Sequence, residues 1–313
     1  MKVATPDSEH SHRYLAEFLD PLTSVLGRSE RRVGALRYLQ GLLLPGERKS
    51  IEPMAQRLGV DSQGLQQFVA DSPWDDAALW GEIRCKVIPT LGRLEAWIVD
   101  ETGWLKQGKD SAGVSHQYCG AVGKQANCQV CVEIAVSDGE IAAPAAGKLY
   151  LPEKWCLDSG RLRKAGVPDS IAFKTKPQIA IELLGQMISD CVARAPVLAA
   201  AAYLAEFIGG RPQPAACLRL SRSRWHIEQY FQRGKSDLGL DHYEGRSWRG
   251  FHHRLVLCAL ACLSVLSLKQ REKKTSGPTW EAVLRLIQPF LLRSTGRRPF
   301  CGTIFGLKIE DST

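Results

Sequence analysis

The stretch EAWIVDETGW, residues 95–104, climbs through apolar residues to Val99 and then meets two adjacent carboxylates, Asp100 and Glu101. A short apolar run rich in β-branched and aromatic residues reads as a buried strand. Such a strand needs partners, and the text that follows supplies them. GVSHQYCGAVGKQANCQVCVEIAVSDG, residues 113–139, reads as a hairpin whose second arm is β-rich at Val130, Val132, Ile134 and Val136. IAAPAAGKLYLPEKW, residues 141–155, reads as irregular, and IAFKTK, 171–176, as a short strand. PQIAIELLGQMISDCVARA, 177–195, has helical periodicity, and PVLAAAAYL, 196–204, starts as a strand before dissolving into alanine. Strands, then a helix, then a strand predict an α/β layer.

The flanks are helical. Residues 11–27, 30–44 and 50–70 place apolar side chains three and four apart, with breakers at Pro21, Gly27, Pro45-Gly46 and Gly59. Within 50–70 the text has the outline of a helix-turn-helix, Gly59 in the turn and Asp61 or Ser62 as N-cap. A Gly- and Pro-rich loop is expected from Leu204 to Cys217, then an amphipathic helix over 220–240 and a buried one over 251–270. A charged linker at 269–281, a last helix at 281–294 and a loose tail complete the reading. Three regions are expected: a helical N-terminal domain at 1–82 able to bind DNA, an α/β core at 83–268, and a linker with helix and tail at 269–313.

Charge is unevenly placed along the chain. Of the formal +8, residues 204–313 hold 18 Lys and Arg against 9 Asp and Glu, a net of +9, so the first 203 residues sum to −1. A basic C-terminal third predicts a polyanion partner, most simply nucleic acid, or else a solvated basic surface. The most apolar run, Leu255 to Leu268, is short for a bilayer span and predicts a core helix rather than a membrane partner. Ten cysteines without an export signal predict reduced thiols and a cytoplasmic protein. Cys128 and Cys131 have zinc-ligand spacing, but a strand would point them to opposite faces.

Two constellations could carry chemistry. Asp100, a carboxylate where a strand ends, suits a hard divalent cation that keeps water and phosphate as its other ligands. Glu101 faces the other way and adds little. In RWHIEQYFQRGKSDLGLDHYEGRSW, residues 224–248, Arg224 and Glu228 share a helix face and Lys235 follows two turns on, one carboxylate beside two phosphate-gripping cations. Trp225 and Trp248 are expected to anchor that helix by packing, and His252-His253 with Cys258 and Cys262 to be core residues.

Together these blocks resemble a known family. DETGWLKQGKDSAGVSHQYCGAVGKQANCQVCV (100–132), LLLPGERKSIEPMA (42–55) and HIEQYFQRGKSDLGLDHYEGRSWRGFHH (226–253) resemble bacterial insertion-sequence transposases of the DDE superfamily, near the insertion-sequence-four group and its seven-oh-one branch. The resemblance spans roughly residues 10 to 270. It implies an RNase H-like α/β core in which two Asp and one Glu bind Mg²⁺ or Mn²⁺ and cut double-stranded DNA at element ends. On it, Asp100 matches the first Asp and Glu228 the final Glu, both as catalytic and metal-binding residues. Arg224, Glu228 and Lys235 match the Arg, Glu and Lys of the group's Tyr-Arg-Glu-Lys signature, with Ser221 at the Tyr position. Arg224, Lys235, Arg246 and Arg249 are the expected DNA contacts, and a homodimer is left open.

The family's second Asp falls on Ala200, and only 28 positions separate Ala200 from Glu228 where relatives carry a long β insertion. The chain therefore reads as an internally deleted member with impaired or absent strand cleavage. The alternative is a catalytically dead DNA-binding derivative of a transposase. Asp158, Asp169 and Asp190 are the acids nearest to hand as substitutes, though none sits in matching text.

Overall fold

A computed structural model describes residues 8–199, 214–271 and 278–293, with two-residue strands at Thr303–Ile304 and Leu307–Lys308. The N-terminal region is helical as expected: α1 (Ser8–Thr23), α2 (Ser29–Leu43), α3 (Ile51–Leu58), α4 (Ser62–Ala70) and α5 (Asp76–Glu82). The turn between α3 and α4 is made by the residues the sequence nominates. Gly59 takes the left-handed conformation at φ 65° and caps α3, a position that favours glycine. The Asp61 carboxylate then accepts from the Gln63 and Gly64 amides, both at 3.2 Å, and starts α4. Met54, Ala55 and Leu58 of α3 and Leu65, Phe68 and Val69 of α4 are buried, while Gln63, Gln66 and Gln67 are exposed.

The sheet holds β1 (Ala96–Leu105), β2 (Ser115–Cys119), β3 (Lys124–Ser137), β4 (Ala142–Leu149) and β5 (Val197–Ala199). Long β3 is the spine. It pairs antiparallel with β1 along one edge, and with β2 and then β4 along the other. On the far side of β1, β5 runs parallel, with Trp97 opposite Val197 and Val99 opposite Ala199.

Several sequence expectations are corrected. Residues 142–149 are a regular strand, not irregular chain. Its residues are small because a helix lies directly on it: a Cβ at Gly147 would sit 2.7 Å from Leu255 Cδ2. Pro144 pairs with Ala135 where the register shifts, the kind of irregularity at which a strand tolerates proline. Residues 171–175 are not a strand; they lead into α8 (Lys176–Ser189), after the short helices α6 (Glu153–Cys156) and α7 (Ser159–Lys164). Thr175 and Gln178 form a reciprocal capping box there, with Pro177 in the first turn. The expected 204–217 loop gives way by Pro214 to α9 (Pro214–Ser236), and residues 269–271 belong to a helix rather than to a linker. The short strands at 303–304 and 307–308 pair with each other, where a loose tail was expected.

The apolar run of the C-terminal third lies in α10 (Trp248–Arg271), followed by α11 (Trp280–Arg293). At 24 residues α10 is long and apolar enough to cross a bilayer, more than the run from Leu255 suggests, but 89% of its apolar window is buried inside the protein. It packs on β4 and on α2, α4, α5 and α11, so one apolar cluster runs from Leu15 to Leu291. Polar groups on α10 find partners within that cluster, Arg254 Nε excepted. Arg254 donates to the Tyr38 hydroxyl at 3.0 Å and to the carbonyls of Lys49, Leu238 and Gly239. The ring nitrogens of His253 lie 2.9 Å from the Val69 and Trp74 carbonyls. These contacts tie the helical region to the core helix.

Candidate active-site face

Antiparallel register sorts the side chains of the sheet onto two faces. Glu101, Val132 and Lys148 are paired across β1, β3 and β4 and lie on the α8 side. There the Lys176 ammonium lies 2.7 Å from Glu101, and Lys148 lies 2.8 Å from Glu182. Those two lysines hold the Glu182 side of the sheet together, and Glu101 is occupied away from Asp100, as alternation requires. Asp100, Glu133 and Gly147 form the corresponding row on the opposite face, under α9 and α10.

Asp100 is half-buried, and its Oδ1 accepts from the Glu101 amide at 2.8 Å. It stands in the middle of β1 rather than at its end, because β3 pairs with β1 without interruption from Ala96 to Leu105. The carboxylates interrupt the apolar run but not the ladder.

Glu133, directly opposite, is the residue that sequence reasoning passed over. It is 0% exposed, yet it sits within the apolar text from Val130 to Val136. A carboxyl group in a strand otherwise fit for burial was the available signal. The Tyr230 hydroxyl of α9 donates to its Oε2 at 2.9 Å, and among the described residues no hydrogen-bond partner meets Oε1. Burial pushes the carboxyl up to about 7, against the hydrogen bond from Tyr230 and the charge of Lys235, while the charge of Asp100 raises it further. Gly147 leaves room for it, since a Cβ there would lie 3.2 Å from Glu133 Cγ.

Helix α9 brings the expected basic text to this face. Ile227, Tyr230, Phe231 and Gly234 are buried, and Lys235 Nζ donates to the Gly103 carbonyl of β1 at 3.1 Å. Lys235 is thus carried to the strand that bears Asp100. Glu228 is exposed on the same helix, and the side chain of Arg224 lies outside the described residues. Trp248 is an anchor at 8% exposure, but Trp225 is 57% exposed and anchors nothing, because the buried stripe of α9 passes through Ile227 and Tyr230 instead. Arg246 and Arg249 are exposed; the first stands 3.7 Å from Asp110 and the second donates to the Asp71 carbonyl at 3.0 Å.

Ala200 lies outside the described residues, one position beyond the end of β5. Asp190 is paired with buried Arg84 at 2.6 Å, Asp158 caps α7 through the Arg161 amide at 2.9 Å, and Asp169 is exposed. Cys128 packs with Cys119 and Val130, whereas Cys131 belongs to the main core, so the two thiols do face apart. Among the described residues no group of three or more His, Cys, Asp and Glu is placed to hold a metal ion. The donor set on the acidic face is all hard oxygen, which fits a Mg²⁺- or Mn²⁺-like ion that keeps water in its shell and does not fit zinc.

An antiparallel β4–β3–β1 sheet extended by a parallel β5, with helices on both faces, is an RNase H-like α/β core. The chain matches the family model described as DDE superfamily endonuclease over residues 21–218, more than half its length, and belongs to that superfamily. A second model, Transposase DDE domain, matches residues 208–263, which hold all of α9 and the first part of α10. DDE domains of this kind generally use divalent metal ions. The chain is also 31% identical over 163 residues to a protein of Microchaete diplosiphon described as a probable transposase for insertion sequence element IS701. That match covers 51% of this chain and 40% of the relative, so the chain spans about two fifths of the relative's length.

Proposed function

We propose that this protein is a transposase-like DNA-binding protein that grips duplex DNA through its phosphates and cleaves it poorly or not at all. The carrying observation is the docking of α9 on β1, which sets Lys235 on the strand of Asp100. In this reading Asp100 and Glu228 are the metal-binding and catalytic carboxylates. Arg224, Lys235, Arg246 and Arg249 hold the backbone of the element ends, with residues 1–82 as an accessory DNA-binding region, 83–268 as the core and 269–313 as an appendage. The contacts that Arg246 and Arg249 make are exposed and weak enough to be exchanged for phosphate.

Impairment follows from Ala200 and from the short span between it and Glu228, which support an internal deletion. Two like-charged ions held close together need several anionic ligands, and removing one lowers occupancy and spoils geometry. A derivative with no cleavage at all is favoured by that same alanine. The test is duplex binding across a salt series. Affinity should fall with a slope near one unit per phosphate contact, and Arg246→Ala with Arg249→Ala should flatten it by about two. Affinity that barely changes between low and physiological salt would reduce the basic third to a solvated surface.

A further inference from the structure

We infer that Glu133 is a metal ligand: with Asp100 it forms a two-carboxylate site for one Mg²⁺ or Mn²⁺ ion on the sheet face beneath α9. This deepens the function proposed above and rests on its reading of Asp100 as the metal-facing carboxylate. Glu133 is not among the acids that the family resemblance assigns.

Two observations carry it. Asp100 and Glu133 are directly paired on antiparallel strands, so their side chains leave the same face from Cβ atoms about 4.5–5.5 Å apart. Glu133 is wholly buried and its Oε2 is held by Tyr230, but no described residue donates to Oε1. A buried carboxylate oxygen left unmet is costly, and a water or a cation relieves that cost. The Lys235 ammonium of the same helix as Tyr230 is docked on the Gly103 carbonyl instead. Half-buried Asp100 joins this interior oxygen to solvent, where a hard cation can keep water ligands. A lone acidic cluster on a surface would not carry the argument; an orphaned, rigidly held interior oxygen beside Asp100 does.

One ion so held fits the proposed impairment. The pair gives a binding site without the further carboxylates that a two-ion cleavage geometry requires.

Mn²⁺ binding to the full chain, read from the electron paramagnetic resonance of free Mn²⁺, tests this without any activity measurement. Glu133→Gln and Asp100→Asn should each weaken binding by roughly tenfold or more, since each removes one hard anionic ligand. Tyr230→Phe keeps both carboxylate oxygens and should bind within about twofold of the parent, a limit set by that unchanged ligand charge. Mn²⁺ should raise the melting temperature of the parent and not that of Glu133→Gln. Should the glutamine variant fail to fold, Glu133→Asp, which withdraws the oxygens by one methylene, gives the same readout. Parent-like binding by Glu133→Gln overturns the inference, as does a loss in Tyr230→Phe equal to that in Glu133→Gln, which would mark a structural role. Loss in Glu133→Gln with parent-like binding by Asp100→Asn would instead remove Asp100 from the site and take the proposed function's metal centre with it.

Discussion

Lys49 shows how tightly the signature segment 42–55 is built into the molecule. Its ammonium is buried and donates to the Leu44 carbonyl, and its backbone amide donates to His242 Nδ1 at 3.0 Å. Burial, with Arg57 and Arg254 nearby, lowers this lysine to about 8, and Asp237 opposes only in part. In the unfolded chain the group titrates near 10.4, so between pH 8 and about 10.4 the folded state binds fewer protons. Lys49 should therefore contribute a rise in stability with pH across that window, by on the order of 2–3 kcal/mol at most, while the thiols of Cys131, Cys258 and Cys262, pushed up by burial, act in the opposite direction. Below pH 8 both states carry the charge and the penalty is fully felt. Lys49→Met should lose this contribution, so the parent should gain stability relative to the variant between pH 7.5 and pH 10, which chemical denaturation of both proteins checks. An equal rise in both proteins would place the titration elsewhere. Ala200 makes the second prediction at this scale. Ala200→Asp returns a hard oxygen ligand and should tighten Mn²⁺ binding roughly tenfold, by ligand charge count. No change on titration would mean that the position does not face the metal.

Elements were legible where local chemistry and tertiary demand agreed, and illegible where they conflicted. The hairpin of β2 and β3 could be read because Val130, Val132, Ile134 and Val136 favour strands and the sheet also wants them there. The fourth strand could not, because α10 presses on it and forces alanine and glycine into text that then looks irregular. Asp100 was found through its position after an apolar run, and Glu133 was missed although its partner strand was recognised. Register, which decides that the two face each other, is not written in either strand alone. At Thr175 the opposite happened: the Thr-x-x-Gln pattern was present but IAFKTK suggested a strand, and the reciprocal cap won. Thr175→Ala should cost about 1 kcal/mol. The melting temperature should fall by about 2–4 °C, the scale for a chain of this size class. Thr175→Ser should recover most of it, and an unchanged melt for the alanine variant would show that α8 is held by packing alone.

At the scale of the whole molecule, the helical region and the sheet are not separable pieces. Phe68 and Trp74 stack, Trp74 stacks on His253, and α10 carries these contacts to β4. The helix-turn-helix of α3 and α4, with its exposed glutamines, is thereby held rigidly to the core that bears Asp100. Duplex DNA lying on both would be positioned by one body, which suits the proposed grip on duplex DNA. The central claim is that this body binds DNA at a face where Asp100 holds a metal ion but where strand cleavage has been crippled by the loss of a carboxylate at Ala200. Nicking of supercoiled plasmid in Mn²⁺, by the parent and by Asp100→Asn, tests that claim most directly. The account predicts little or no nicking by the parent and none above background by Asp100→Asn; robust nicking by the parent that survives Asp100→Asn would contradict it.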